Sequence, residues 1–122
     1  MSEDNNNNNN KIHLPIKIFN CQEVKKRIHE ILHDNLHDKQ YDLNQCNFLA
    51  KNLSNIIKNS LKTFGYERYK FIIQIIICQQ HNENLQMISR SYWDSETDKF
   101  AQSIYINQFL ICVATAFAVF YY

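Results

Sequence analysis

Three residues in one short run could carry chemistry: His29, Glu30 and His33. In the pattern H-E-x-x-H on a helix, two imidazoles stand one turn apart and can hold Zn²⁺. The glutamate beside the first can then act as general base toward a metal-bound water. His37 continues the row by another turn. A catalytic zinc needs a third protein ligand, and the sequence offers none: His37 falls short of the extended zincin spacing, and His13 and His81 sit in terminal or loop segments. On a helical wheel the three histidines flank the apolar stripe and drift toward solvent beside Lys25, Lys26 and Asp34. A solvated helix face is therefore the stronger reading. Adventitious binding of zinc or nickel by this row would not imply proteolysis. A zinc-dependent hydrolase using His29, Glu30 and His33 stays as the alternative to the reading reached below.

The other reactive types are no better placed. Asp94, Glu96 and Asp98 form an acidic loop without the glycine and spacing of a calcium loop. No serine is set with His and Asp in a strand-turn-helix context. A single glycine, Gly65, excludes every glycine-rich phosphate cradle. The sequence thus predicts no catalytic residue, no metal site and no cofactor.

The elements that would position these residues are clearer. Residues 71–78 are a run of Phe, Ile, Gln and Cys with the β-branched bias of a strand. Phe71, Ile73, Ile75 and Ile77 point one way, and Ile72, Ile76 and Cys78 the other, so both faces need cover. One layer of helices covers one face. The second cover must come from more of this chain or from another copy, and the chain has little to spare. That is a first pointer to a dimer.

In 122 residues there is room for one domain, and at 45% hydrophobic content it can bury a real core. A formal net charge of +1 implies no pull toward nucleic acid or acidic membranes. Cys21, Cys46, Cys78 and Cys112 are widely spaced in apolar segments and read as reduced core thiols of a cytosolic protein. The start is not a signal peptide. Residues 1–12, with an asparagine run, are expected to form a disordered tail, and residues 13–122 the folded domain.

The first helix is expected over residues 21–36, with Asn20 as N-cap and Phe19 as a hydrophobic staple. Val24, Ile28, Ile31, Leu32 and Leu36 make its apolar stripe. The second is expected over residues 43–64, capped by Asp42 and stopped by Gly65. Strands follow at 69–79, 85–93, 100–106 and 109–120, with a loop at 94–99 and a tight turn at Asn107 and Gln108. In the last strand Cys112, Ala114, Ala116 and Ala118 form a small face that lets helices approach. Ile111, Val113, Phe117 and Val119 form a bulky face that needs a partner. Residues 109–122 are too short for a helical membrane span, which takes about 20 residues. The fold class is α+β: two antiparallel helices on one face of a four-stranded antiparallel sheet.

With the 85–93 segment and its loop in view, the chain resembles the Tctex-type dynein light chains. Tyr92-Trp93-Asp94-Ser95-Glu96-Thr97-Asp98 is similar to that family's F-W-D-x-x-T-D signature. Phe19 with Glu23-Val24, Leu61-Lys62-Thr63-Phe64-Gly65, Tyr69-Lys70-Phe71-Ile72-Ile73 and Val113-Ala114-Thr115-Ala116-Phe117 extend the likeness over most of the chain. Departures are Phe48 or Leu49 where the family often has tryptophan, a Tyr66-Glu67-Arg68 link without proline, and a bulky Phe120-Tyr121-Tyr122 end.

The resemblance implies a strand-exchanged homodimer. It also implies a non-catalytic role in a cytoplasmic, cytoskeleton-associated dynein complex, bound to the dynein intermediate chain and possibly to cargo, with no nucleic acid and no membrane insertion. The family adds its intermediate-chain peptide as a strand at the dimer interface. Carried onto this sequence, the peptide-binding edge and dimer interface are Leu85, Gln86, Met87, Ile88, Ser89, Arg90, Ser91, Tyr92 and Trp93. A general dimerising adaptor without a motor partner is the remaining rival.

Overall fold

The computed structural model describes residues 17–92 and 100–120. Helix α1 spans Cys21–Leu36 and buries Val24, Ile28, Ile31, Leu32 and Leu36, the stripe the periodicity predicts. Asn20 caps it, its side-chain oxygen accepting from the backbone N–H of Gln22 at 3.1 Å and Glu23 at 3.2 Å. Helix α2 spans Cys46–Leu61 and buries Leu53, Ile57 and Leu61. It begins later than expected. Asp42 accepts from the backbone N–H of Asn44 at 3.0 Å, but that bond closes a separate turn at 43–45, and the cap position falls on Gln45. A 3₁₀ turn, Lys62–Phe64, finishes the helix, and Gly65 follows at φ 81°, the left-handed position the sequence assigns to it. Arg27 of α1 reaches across to α2: its Nη1 donates to Ser60 Oγ at 3.0 Å, and its guanidinium lies 5.0 Å from the Phe64 ring centre.

Strands β1 (Tyr69–Gln79), β2 (Phe100–Ile106) and β3 (Leu110–Phe120) form one antiparallel sheet in the order β1-β3-β2. Ile72 pairs with Phe117, Ile76 with Val113, and Phe100 with Phe117. One face therefore carries Phe71, Ile73, Ile75, Ile77, Ala101, Cys112, Ala114 and Ala116 into the main core. α1 packs over β2 and α2 over β1 on this face. The small residues of β3 sit at its centre, where close approach of the helices requires them.

The expectation of four strands fails at one segment. Residues 82–92 form a third helix, α3 (Asn82–Tyr92), where the sequence reading placed a strand over 85–93. The physical reason is visible in composition. Leu85, Gln86, Met87 and Arg90 are good helix formers, and Ile88 is the only β-branched residue of the run. Leu85 and Ile88 fall on one helical face and pack on Ile76, Cys78, Ile104, Ile111 and Val113, the second face of the sheet. Part of the cover that seemed to need a partner thus comes from this chain. Trp93 and the loop at 94–99 lie outside the described residues, as does the tail at 1–12.

Two polar anchors tie the layers together. Asn107 closes the β2–β3 turn: its Oδ1 accepts from the N–H of Phe109 at 2.7 Å and Leu110 at 2.8 Å. Its Nδ2 donates to the carbonyls of Leu36 at 2.9 Å and Lys39 at 3.1 Å, so one side chain terminates α1 and shapes the hairpin. At the other end Tyr66 is buried among Phe19, Tyr69 and Phe71. Its hydroxyl accepts from Asn20 N–H at 3.2 Å and donates to Glu23.

Candidate functional site

β3 has a neighbour on each side, so β1 and β2 are the edges of the sheet. β1 is 11 residues long, and among the described residues one side of its backbone has no strand beside it. Such an edge is a template for pairing unless it is blunted, and β1 carries no proline or bulge. The face above it is only half covered. α3 protects the end built on Cys78, Ile111 and Val113. At the opposite end Ile72 is 52% exposed, Phe117 36% and Val119 44%. These neighbours in the register, with the half-buried Phe100 ring 5.6 Å from that of Phe117, form an apolar strip on the outer face.

The residues expected to form a binding edge lie on α3 as far as Tyr92. Ile88 is 3% exposed and faces the sheet with the half-buried Leu85. Gln86 and Met87 face solvent. Ser89, Arg90, Ser91 and Tyr92 continue the helix backbone. In this arrangement the segment presents no strand edge of its own. The open edges are those of β1 and β2, and β1, which the sequence analysis treats as a core strand, is the longer.

The histidine row lies on an exposed face of α1, as the sequence analysis expects, with Tyr105 and Ser103 at its side. His29 Nδ1 lies 3.3 Å from Ser103 Oγ, and the His29 and His33 rings stand 6.3 and 6.0 Å from that of Tyr105. His33 also stacks on His37, and Glu30 turns to Arg27 at 3.5 Å rather than toward the imidazoles. Among the described residues no group of three or more His, Cys, Asp or Glu could hold a metal ion. The four cysteines are free, with Cys112 buried and the others half-buried.

Electrostatics concentrate at the Tyr66 anchor. The hydrogen bond from Tyr66 holds the Glu23 carboxyl below its usual range, against some opposing desolvation; Lys17 and Arg27 add to the lowering. Burial, then the Glu23 carboxylate, pushes the Tyr66 phenol up to about 12. This is a structural clasp, since no reactive group lies beside it. A concavity of about 790 Å³ sits at the α1–α2 link, where Tyr41, Cys46 and Leu49 line it beside the exposed Leu43 and Phe48. Lys39, Asp42 and Cys46 are among its lining residues, and no histidine is.

Among the described residues there is no reactive constellation, and β1 keeps an open edge beside a half-covered sheet face. Comparison with known proteins decides the kinship of the chain: the model of the Tctex-1 family matches residues 18–119. The chain belongs to the Tctex-1 family.

Relatives of this Tctex-1 chain carry consistent descriptions. It is 44% identical over 104 residues to dynein light chain Tctex-type protein 2B of Danio rerio, covering 85% of this chain and 69% of that one. It is 38% identical over 104 residues to the Homo sapiens protein of the same description, covering 85% and 73%. It is 30% identical over 107 residues to human dynein light chain Tctex-type protein 2, covering 88% and 54%. Tctex-type light chains are structural components rather than enzymes, so the hydrolase alternative on His29, Glu30 and His33 is set aside. Among the described residues no helix is long and apolar enough to cross a membrane.

Proposed function

We propose that this Tctex-1 chain is a non-catalytic light chain of a dynein motor complex, working as a homodimeric adaptor in the cytoplasm. The observation that carries this reading is its 44% identity to a chain described as a dynein light chain, over most of its length. Geometry supports the pairing part. Segment 85–93 of one copy leaves the sheet it covers and adds as a strand to the open β1 edge of the other. Its departure uncovers Ile76, Ile104, Ile111 and Val113, which join Ile72, Phe117 and Val119 as the surface a second copy must bury. The outer edge of the added strand, Leu85 to Trp93, then receives a dynein intermediate-chain segment by main-chain hydrogen bonds, with alternate side chains supplying selectivity. Cargo segments would bind by the same chemistry.

The test has two steps. Sedimentation equilibrium at low micromolar concentration is expected to give a dimer, and hydrogen exchange should find the β1 amides protected along both sides of the strand. Titration with dynein intermediate chain should then give saturable binding, one chain per protomer. A stable monomer would overturn the exchange. A dimer that fails to bind intermediate chain would overturn the motor role and leave a general dimerising adaptor.

A further inference from the structure

Charge is segregated on the two elements that flank the open β1 edge. α2 with its 3₁₀ turn and β1 together carry Lys51, Lys58, Lys62 and Lys70 and neither aspartate nor glutamate, in a chain whose formal net charge is +1. Lys51, Lys58 and Lys62 follow one another at i, i+7 and i+11, which is a single stripe of the helix, and all three are exposed. The direction of this stripe is set from both sides. Lys58 and Lys62 line a recess of about 370 Å³ with Tyr69, Lys70 and Phe71 of β1. Ser60, on the opposite side of the helix, accepts from Arg27 of α1 at 3.0 Å. The stripe therefore faces away from α1 and runs along the free side of β1.

Folding alone does not call for it. The helix dipole favours cations in the last turn, which accounts for Lys58 and Lys62. It accounts neither for Lys51 nor for a first turn without an acid. Among the described residues no ion pair involves any of the four lysines. The segment proposed to exchange does not neutralise them: from Leu85 to Trp93 its only charged residue is Arg90, a further cation. The compensating carboxylates are left to the segment that adds outside it.

Spacing agrees. Alternate residues of an extended chain share a face and lie about 6.8 Å apart. Lys58 and Lys62 are separated by about 6 Å along the helix, and Lys51 precedes Lys58 by about 10.5 Å. A lysine stem is long enough to cross one strand spacing, about 4.8 Å, with its ammonium in water.

We propose that the Lys51, Lys58 and Lys62 stripe is the specificity determinant of the strand-addition site, and that the intermediate-chain segment it accepts is acidic, with Asp or Glu at alternate positions on the face turned toward α2. The inference rests on the light-chain reading above and names the chemistry of its partner segment.

The test uses the full-length chain and overlapping synthetic peptides that tile a dynein intermediate chain, with binding read by fluorescence anisotropy. One variant carries Lys51→Gln, Lys58→Gln and Lys62→Gln, and a second carries arginine at the same three positions. The side chains are exposed, so the core is untouched; circular dichroism and sedimentation check fold and dimer. Wild type is expected to bind a peptide with acidic residues at alternate positions. The glutamine variant should bind it about tenfold more weakly at low salt, with the gap closing at high salt, and the arginine variant should bind like wild type. Neutralising the acidic residues of that peptide should weaken wild type but not the glutamine variant. A bound peptide without acidic residues, or one that the glutamine variant holds equally well, would overturn the inference and leave the light-chain reading standing. A glutamine variant that folds but no longer dimerises would place the stripe in the contact between copies and overturn it as well. If no intermediate-chain peptide binds wild type, the light-chain reading falls and this inference with it.

Discussion

Tyr66 is the residue through which the approach to α1, the end of α2 and the start of β1 are held together. Its hydroxyl is both donor and acceptor, so Tyr66→Phe strands the Asn20 N–H and releases Glu23. The expected cost at pH 7 is about 1–2 kcal/mol. The pH dependence is signed. Glu23 has a folded-state value below its ordinary 4.5, so its contribution is present above that value and is lost as pH falls through the lowered one. Tyr66 has its value raised from 10.0 to about 12, so its contribution is present below pH 10 and is lost as pH rises toward 12. Urea midpoints of wild type and Tyr66→Phe should be furthest apart near neutral pH and draw closer as pH falls below 4.5 and as it rises from 10 toward 12, the Asn20 bond keeping a residual gap at the acid end. A constant gap would refute the coupling. Asn107→Ala, measured the same way, should cost about 2 kcal/mol, because both the hairpin and the end of α1 lose partners.

Among the elements, those with a strong period and clear punctuation are legible in the sequence. α1, with its five-residue stripe and Asn20 cap, and β1, with its isoleucine run, are found where the pattern places them. Gly65 stops the second helix as expected, though Asp42 turns out to cap a turn rather than the helix. α3 is where pattern reading misled. Segment 85–93 has one β-branched residue and alternates only weakly, so its state depends on what it packs against, which no local pattern records. The open β1 edge escaped notice for a similar reason: strand order is a tertiary fact, and β3 claims the centre despite coming last. The role of α3 can be measured. Ile88→Ala removes a buried side chain from the contact with Ile111 and Val113 and should lower stability by about 2–4 kcal/mol if α3 holds this position in solution. A change below 0.5 kcal/mol would mean that the helix is not docked there.

At the scale of the whole molecule, one sheet is served by two unequal layers. The α1–α2 layer closes a continuous core, whereas the α3 layer closes only half of the outer face and leaves Ile72, Phe117 and Val119 in water. This asymmetry supports the proposed pairing with another copy. Placing a charge in the strip, as Phe117→Lys, should leave the protomer folded, because the side chain is already 36% exposed, yet weaken dimerisation at least tenfold by sedimentation. Unchanged dimer affinity would put the interface elsewhere.

The central strand also carries a built-in probe. Cys112 sits at 0% exposure in the middle of the sheet, and burial, with a smaller influence from Cys78, pushes its thiol up to about 12. Thiolate, the form that reacts with alkylating reagents, is therefore almost absent there at neutral pH while the fold is closed. The half-buried Cys21, Cys46 and Cys78 give up their protection through local motion, whereas Cys112 reacts only when the sheet itself comes apart. Its labelling rate is a clock for global opening, written into the native sequence without any added tag. In a strand-exchanged pair that clock should slow as protein concentration rises, and in a lone protomer it should keep the same time at every dilution.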